Sequence, residues 1–407
     1  MFDPTDRSGA AQAIPSEICL RCLRGSNRSG LSERVSETLG ERRRTLAAVR
    51  VGVQLIFQSW GYEGRVTDAA VVAQEVRLGE LADELGFHAL WPVEHHFDDY
   101  SFCPDNTLFL ANMAARTQRI LLGTGAVILP WNDPLRVAEK IALLDHLSDG
   151  RVLFGMGRGL ARCEYAGFGI PMDESRDRFD EAARMILAAL ETGSIEGGGP
   201  YFPQPRAPIR PAPARSFANR TYCVAMSPDS VLAAADLGAR MVMFSQQPWE
   251  SQASSVATYR ERFAGAHGRK PGPPVVCDFV YCDTSAARAE EVAHKHIAGY
   301  LASVMEHYEL ESDHFKHAKG YESYGNAVDM LRAVGLDKLC EMYLGVNVCG
   351  TPDQIVQRLQ ARREVIGDHD LTCCFQYAGL PYEQAESSMR LFAAEVLPLV
   401  QAEPALR

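Results

Sequence analysis

Three apolar runs that alternate with two helical patterns constrain this chain more than any other feature of its sequence. Each run has the length and apolar content of a buried strand and ends among glycines or polar side chains. The runs lie at Gly86–Phe97, Ile120–Pro130 and Arg151–Leu160, and the helical patterns between them lie at Asn106–Thr117 and Pro134–Leu147. This spacing is typical of the βαβ units of parallel sheets, in which ligands bind at the C-terminal ends of strands.

The rest of the chain continues the same alternation. Five further runs predict strands that are followed by helical material, at Arg50–Phe57, Arg220–Ala225, Ala239–Phe244, Val275–Cys282 and Leu371–Tyr377. Eight such pairs fit an α/β fold of the (β/α)8 (TIM) barrel type better than a doubly wound sheet.

Three segments fall outside this pattern. Residues 1–48 lack apolar periodicity, and we predict a disordered N-terminal extension to a barrel at 49–400. Residues 193–215 are rich in glycine and proline, which predicts a loop or small hairpin on the barrel rim. Residues 308–347 interrupt the rhythm after the seventh strand, and we interpret them as an insertion able to act as a lid.

Composition and charge disfavour several classes of protein. The formal net charge of −11 argues against nucleic-acid binding, and no window approaches 18 uninterrupted apolar residues, so no membrane contact is predicted. The polar N-terminus has no apolar signal core, which predicts a cytoplasmic protein. The eleven cysteines are scattered as reduced thiols would be. Cys19 and Cys22 have no second cysteine or histidine pair nearby, so no metal site is predicted.

Six short motifs follow one another in this framework: Glu94–Phe97, Gly123–Pro130, Leu144–Arg151, Phe154–Leu160, Ser175–Arg176 and Ala225–Ser227. In this order they resemble the bacterial luciferase-like flavin monooxygenases, most of all the catalytic (alpha) subunit of luciferase. The resemblance covers most of residues 50–400.

The resemblance implies an enzyme that uses reduced FMN (FMNH2), supplied by a separate flavin reductase, together with O2. A flavin C4a-peroxide shielded from water would oxygenate a small organic substrate. The glycines of Gly155–Gly159 do not have the spacing of a dinucleotide-binding loop, which agrees with dependence on a partner reductase. We also expect a homodimer.

Two adjacent histidines lie in the first motif. Side chains of neighbouring residues in an extended segment point to opposite sides, so no more than one of His95 and His96 can face a given pocket. The resemblance implies that His95 faces flavin and substrate as the acid/base and that His96 is structural. An imidazole suits proton transfer near neutral pH. Glu94 could orient a ring or tune its pKa, and a surface salt bridge is the alternative.

Gly125 and Ala126 mark a second special position. Glycine inside a strand is unfavourable unless the backbone bends there or approaches another group closely. The resemblance implies a non-proline cis peptide bond between these two residues, beneath the flavin ring. The alternative is a glycine required only for tight packing.

The third position is a phosphate site. Arg158 lies between glycines at a strand end, and guanidinium suits bidentate phosphate binding. Ser227 precedes a helix whose free N–H groups can bind an anion. The resemblance implies that Arg176 binds the same phosphate. The other candidate cofactor-binding residues are Ser230, through its hydroxyl, and Leu160 and Met226, through backbone or packing.

Two alternatives remain beside the FMN enzyme. One is an F420-dependent oxidoreductase of the same superfamily, against which the Glu94–Phe97 motif argues. The other is a non-catalytic flavin-binding partner subunit, against which both histidines and both arginines argue. Gly157 stands where many luciferase alpha subunits have a reactive cysteine, so light emission from a long-chain aldehyde does not follow from the resemblance, and the substrate is not identified.

Overall fold

Eight parallel strands close into a barrel, which confirms the fold predicted from the alternation. Each strand pairs with its neighbours in chain order, and the last strand pairs with both the first and the seventh. Strands are numbered here along the chain, including four short ones outside the barrel wall. The barrel strands are β1 (Val51–Leu55), β2 (Ala89–Pro92), β3 (Leu121–Gly123), β5 (Val152–Gly157), β8 (Thr221–Val224), β9 (Arg240–Phe244), β10 (Val275–Cys282) and β12 (Asp370–Cys374).

A computed structural model describes residues 49–321, 323–325 and 334–401. They all fall within one compact unit, 45–407. The extension predicted at 1–48 lies outside the described residues. Among the described residues, no helix combines the length and apolar character needed to cross a bilayer.

Helices cover the outside of the barrel, and several begin where the sequence supplies a cap. Asp105, Asp133 and Ser285 each accept a backbone N–H of the first turn, and Thr351 forms a capping box with Gln354. The helices are α1 (Asp68–Glu84), α2 (Asn106–Arg116), α3 (Pro134–Leu147), α4 (Arg162–Gly167), α5 (Ser175–Thr192), α6 (Pro228–Asp236), α7 (Trp249–His267), α8 (Ala286–His307), α9 (His314–His317), α10 (Leu336–Val346), α11 (Pro352–Ile366), α12 (Tyr382–Glu395) and α13 (Leu397–Val400).

The apolar run at Ile120–Pro130 is not the single strand that we predicted. It forms β3, then a bulge, then the two-residue strand β4 (Val127–Ile128), which pairs with the end of β5. A second short strand, β11 (Val348–Gly350), extends the sheet beside β10 and was also missed. Both are too short to give a periodic signal, so the sequence pattern could not separate them from loops.

The segment at 193–215 contains an antiparallel hairpin of strands β6 (Ser194–Gly197) and β7 (Gln204–Pro208). Its turn packs on α5, where the Glu181 carboxylate accepts the backbone N–H of Phe202 at 2.7 Å. The preceding helix, α5, begins at Ser175, after a 3-10 turn at 172–174.

Trp91 of β2 fills the barrel interior beneath the bulge. Its ring lies edge-on to Tyr222, with centroids 4.9 Å apart. A Cβ on Gly123 would lie 2.4 Å from the indole, and one on Gly155 would lie 2.0 Å from the carbonyl oxygen of Thr124. Glycine is therefore required at both positions because a side chain would displace the tryptophan or the bulge.

Glu75 of α1 gives a pH-dependent contribution to stability. Burial raises its pKa from about 4.5 to about 8, against the opposing hydrogen bonds from Phe57 N–H and the Tyr382 hydroxyl. Because the folded pKa lies above the unfolded one, this contribution is present below about pH 4.5 and is lost as pH rises through 8. We expect Glu75→Gln to gain stability over the wild type, by more than about 1 kcal/mol, between pH 5 and 8. Urea unfolding at several pH values measures this. Glu80→Gln on the same helix, whose side chain is 30% exposed and pairs with Arg116, should show no such trend.

Candidate active site

A cavity opens at the C-terminal ends of the barrel strands. It contains about 1140 Å³ of space free of atoms and continuous with solvent. Residues at or just after the ends of six barrel strands line it, so the barrel itself fixes their positions. Much of the remaining wall is aromatic, from Tyr100, Phe244, Phe279, Tyr300, Tyr308 and Tyr324.

The bulge after β3 forms part of the cavity wall, and the peptide bond between Gly125 and Ala126 is cis, as the resemblance implied. Thr124 ties the bulge to β5, since its hydroxyl donates to Gly155 O and accepts Gly155 N–H, both at 2.8 Å. On the other side, the Asn106 amide donates to Ala126 O at 2.9 Å. The bulge is thus held from both sides, with Gly125 and Ala126 facing the cavity.

His95 lines the cavity, and its ring is held by a carboxylate that the sequence analysis missed. Nδ1 lies 2.9 Å from Glu164 Oε1, which also accepts the backbone N–H of His96 at 2.9 Å. Burial lowers the pKa of His95, but the Glu164 carboxylate outweighs it and raises the pKa above its ordinary value. With Nδ1 bound to Glu164, Nε2 is the ring atom left to exchange a proton with a ligand.

His96 points away from this cavity. Its ring packs edge-on against Phe168, with centroids 4.7 Å apart, and against Trp131 at 6.1 Å. The side chain is buried and does not belong to the cavity lining. The two histidines therefore face opposite sides, as their adjacency in an extended segment requires.

Glu94 holds the segment that follows the bulge in position. Its carboxylate accepts the backbone N–H of Ile128 at 3.1 Å, the indole N–H of Trp131 at 2.8 Å and the amide of Asn132 at 2.9 Å. It also lies 3.5 Å from Nε2 of His96. Glu94 thus anchors the segment after the bulge, and Glu164 rather than Glu94 orients His95.

One end of the cavity carries the candidate phosphate-binding groups. Arg158 and Ser230 line it, and an Arg176 Nη donates to the Ser230 hydroxyl at 2.9 Å. Ser227 caps α6 and its hydroxyl lies 2.9 Å from that of Ser230. Nε of Arg176 is buried and finds no hydrogen-bond acceptor within residues 49–321, 323–325 and 334–401, so this donor is available to an anion.

Part of the insertion covers this end. The carbonyl of Gly320 accepts from Arg158 Nη1 at 2.8 Å, and the Tyr321 ring stacks on the guanidinium at 3.9 Å. The Tyr321 hydroxyl donates to Gly159 O at 2.8 Å. Leu160 and Met226 also line the cavity. Every residue of the predicted cofactor site therefore lies in the cavity wall except Arg176 and Ser227, and each of these two contacts Ser230, which does line it.

Sequence reasoning missed Glu164, Asn106 and Tyr324 at this site. Glu164 lies on α4, a helix of six residues that is too short to produce apolar periodicity. An acidic residue a few positions after the Gly157–Leu160 strand end was the signal available for it. Asn106 was included in a helix by its periodicity, and its amide contact to the bulge depends on a fold not visible in the pattern.

A parallel barrel with a lined cavity at the C-terminal ends of its strands is the arrangement of a barrel enzyme. The chain belongs to the luciferase-like monooxygenase family, whose model matches residues 49–369. Fold, site and family together mark it as an oxidoreductase of the monooxygenase type.

Individual relatives agree with this assignment. The chain is 27% identical over 350 residues to the alpha chain of alkanal monooxygenase from Aliivibrio fischeri, covering 85% of this chain and 97% of that one. Monooxygenase RslO1 from Streptomyces bottropensis superimposes with a TM-score of 0.70 at 28% identity, covering 86% and 99%. The oxygenating constituent of 3,6-diketocamphane monooxygenase from Pseudomonas putida, solved with FMN, shares the fold with a TM-score of 0.67 at 18% identity, covering 86% and 98%.

Proposed function

We propose that this protein is a monooxygenase that uses reduced FMN, supplied by a separate reductase, and O2 to oxygenate a small organic substrate. The observation that carries the proposal is one cavity that joins His95 and the bulge to the cluster of Arg158, Arg176 and Ser230. When bound, reduced FMN would supply the two electrons that activate O2, which the side chains here cannot do.

The residues present fit FMN. Arg158 and Ser230 line the same cavity, Arg176 donates to the Ser230 hydroxyl, and Ser227 caps α6 beside it, a set of donors that suits a terminal phosphate. Gly320 and Tyr321 lie against the guanidinium of Arg158. This favours a cofactor that ends at its phosphate over F420, whose chain continues beyond it.

The chain's own groups have separate tasks in this reaction. The phosphate cluster binds and orients the cofactor, and the bulge supports its ring. The aromatic wall excludes water and offers a mainly apolar surface, which suits an uncharged organic substrate. His95 holds or moves a proton at Nε2, and Glu164 fixes the direction of its ring.

The proposal is tested by titrating the purified protein with FMN, FMNH2 and F420, and then measuring oxygen uptake and product with a flavin reductase present. We expect binding of FMNH2 and O2 uptake coupled to oxygenation of an apolar substrate. Binding of F420 alone would indicate hydride transfer instead. Tight flavin binding without product from any of a broad substrate panel would indicate a non-catalytic subunit.

The phosphate assignment gives a prediction of its own. Arg158→Ala should weaken FMNH2 binding by about 1.5–3 kcal/mol, because a charged hydrogen-bond donor is removed from the anion. Anaerobic calorimetry measures the affinity, and thermal unfolding checks the lost contacts to Gly320 and Tyr321. Arg162→Ala is the matched control, since this exposed arginine pairs with Glu309 outside the cavity. Unchanged affinity in Arg158→Ala would move the phosphate elsewhere.

We further propose a homodimer in the cytoplasm. Helices α2 and α3 pack against each other and leave three leucines exposed, Leu108 at 72%, Leu143 at 47% and Leu147 at 58%. A second copy would cover them. The described cysteines are free thiols, which suits a reducing compartment. Light scattering of the purified protein tests the dimer, and a monomer at micromolar concentration would rule it out.

A further inference from the structure

Four titratable side chains form a line from the protein surface to the cavity. Asp98 Oδ2 lies 2.7 Å from Nδ1 of His307 at the end of α8. Nε2 of the same ring lies 4.0 Å from Glu164 Oε1. That oxygen is in turn 2.9 Å from Nδ1 of His95. The line therefore ends at the ring that faces the cavity.

The exposure of these side chains follows the same order. The side chain of Asp98 is 39% exposed and those of His307 and Glu164 are 1% exposed. That of His95 is 18% exposed, on the cavity side. Two buried groups thus separate a carboxylate in contact with solvent from an imidazole in contact with the cavity.

His307 has an unused atom in this line. Nε2 is buried and makes no hydrogen bond to any of the residues that the structure describes, and Glu164 is the acidic group in front of it. The ring is held between Tyr100, stacked at 4.3 Å, and Tyr308, edge-on at 4.7 Å. A distance of 4.0 Å is longer than a hydrogen bond, and a movement of about 1 Å closes it. Transfer of a proton through this nitrogen would explain why a polar atom is buried there without a hydrogen bond.

We propose that Asp98, His307 and Glu164 form a proton relay that connects solvent to His95 while flavin and substrate fill the cavity and exclude water. This inference rests on the proposed function. Anionic reduced FMN, O2 and a substrate give oxidised FMN, oxygenated substrate and water only if one proton per turnover enters from solvent. The relay delivers that proton during the reaction without admitting water, and cavity water replaces it once product has left.

One proton moves inward by successive transfers along the relay. Asp98 takes a proton from solvent and passes it to Nδ1 of His307, whose Nε2–H goes to Glu164. Glu164 passes its proton to Nδ1 of His95, and Nε2–H of His95 goes to the reacting group. Each residue ends with as many protons as it began, and both rings have exchanged tautomers. When product leaves, cavity water protonates Nε2 of His95 and the relay returns one proton outward, which restores the tautomers.

The other titratable groups around these rings do not compete for the proton. Burial raises the pKa of Tyr100 and of Tyr308 well above the ordinary value, and burial raises the pKa of Cys163 to about 11. All three therefore stay neutral near pH 7. Glu309 is held by its hydrogen bonds to Arg162, which lower its pKa. Glu94 is engaged by Trp131 and its neighbours on the other side of the segment.

Asp98→Asn is the decisive variant. An asparagine oxygen still accepts from Nδ1 of His307, so a purely structural contact survives, but an amide cannot carry a proton. We expect substrate oxygenation to fall at least about ten-fold, with a larger solvent deuterium isotope effect and partial rescue by small carboxylic acids in the buffer. His307→Gln should lower oxygenation and raise the isotope effect in the same way, but small carboxylic acids should not rescue it, because they replace the carboxylate of Asp98 and not the imidazole. Glu309→Gln is the control. It breaks the ion pair between Glu309, just after α8, and Arg162 of α4, and it leaves the relay intact.

A second measurement does not depend on oxygenation. In the flavin-free protein, exchange of the His95 Nδ1 proton with D2O, followed by NMR of labelled histidine, should slow about ten-fold in Asp98→Asn and stay unchanged in Glu309→Gln. Slower exchange in a protein that oxygenates nothing would keep the relay and reject the proposed function. Unchanged exchange, turnover and isotope effect in Asp98→Asn would reject the relay and leave the proposed function standing.

Discussion

Replacing His95 by alanine is expected to lower product yield by about 10²–10⁴, the range for loss of a general acid–base group. Binding of reduced FMN should change little, because the candidate phosphate-binding residues lie just after β5, on α5 and on α6 rather than on the segment after β2. The enzyme would then consume O2 without transferring oxygen to substrate. Product per O2 consumed, measured with a reductase supplying flavin, is therefore the sensitive quantity.

His96→Ala is the matched control for this variant. The ring of His96 packs against Phe168 and Trp131 outside the cavity, so its removal should lower the melting temperature and the soluble yield. The folded fraction should still form product. If product formation survives in His95→Ala and collapses in a well-folded His96→Ala, the two faces have been assigned the wrong way round.

The barrel could be predicted because its signal is local. Strand runs such as Val275–Cys282 are buried at every position but Phe279, and helix starts such as Thr351 are marked by side chains that cap their own first turn. Parallel pairing then follows from the alternation, and it places all strand C-termini on one face. This is why His95 and Arg158 could be placed at one site before any contact between their segments was known.

The contacts within the site could not be predicted in the same way. Glu164 reaches His95 across 69 positions of sequence, and His307 reaches Asp98 across 209. No periodicity encodes such pairs, since both depend on the closed barrel. The cis bond at Gly125 came from the resemblance alone, because a glycine in a strand is equally compatible with tight packing.

A buried ion pair far from the phosphate cluster is another contact of this kind. Arg362 of α11 bonds Asp278 of β10 through two hydrogen bonds of 2.6 and 2.7 Å, and their side chains are 1% and 0% exposed. The Ser245 hydroxyl donates to the same carboxylate at 2.8 Å, and the guanidinium lies over the Trp249 ring at 4.1 Å. The pair therefore ties α11 to β10, whose next residue, Phe279, lines the cavity.

Asp278→Asn should lower the free energy of unfolding by about 3–5 kcal/mol, because it leaves a guanidinium buried without its counter-charge. Arg363→Met is the control, one position along the same helix. It breaks an ion pair whose partner Asp368 is 69% exposed, which should cost less than about 1 kcal/mol. Urea unfolding compares the two. The double variant Asp278→Leu/Arg362→Met should recover much of the loss, since an apolar pair removes the buried charges altogether. A loss in Asp278→Asn no larger than in Arg363→Met would mean that water reaches the guanidinium and that the pair does not hold β10 in place.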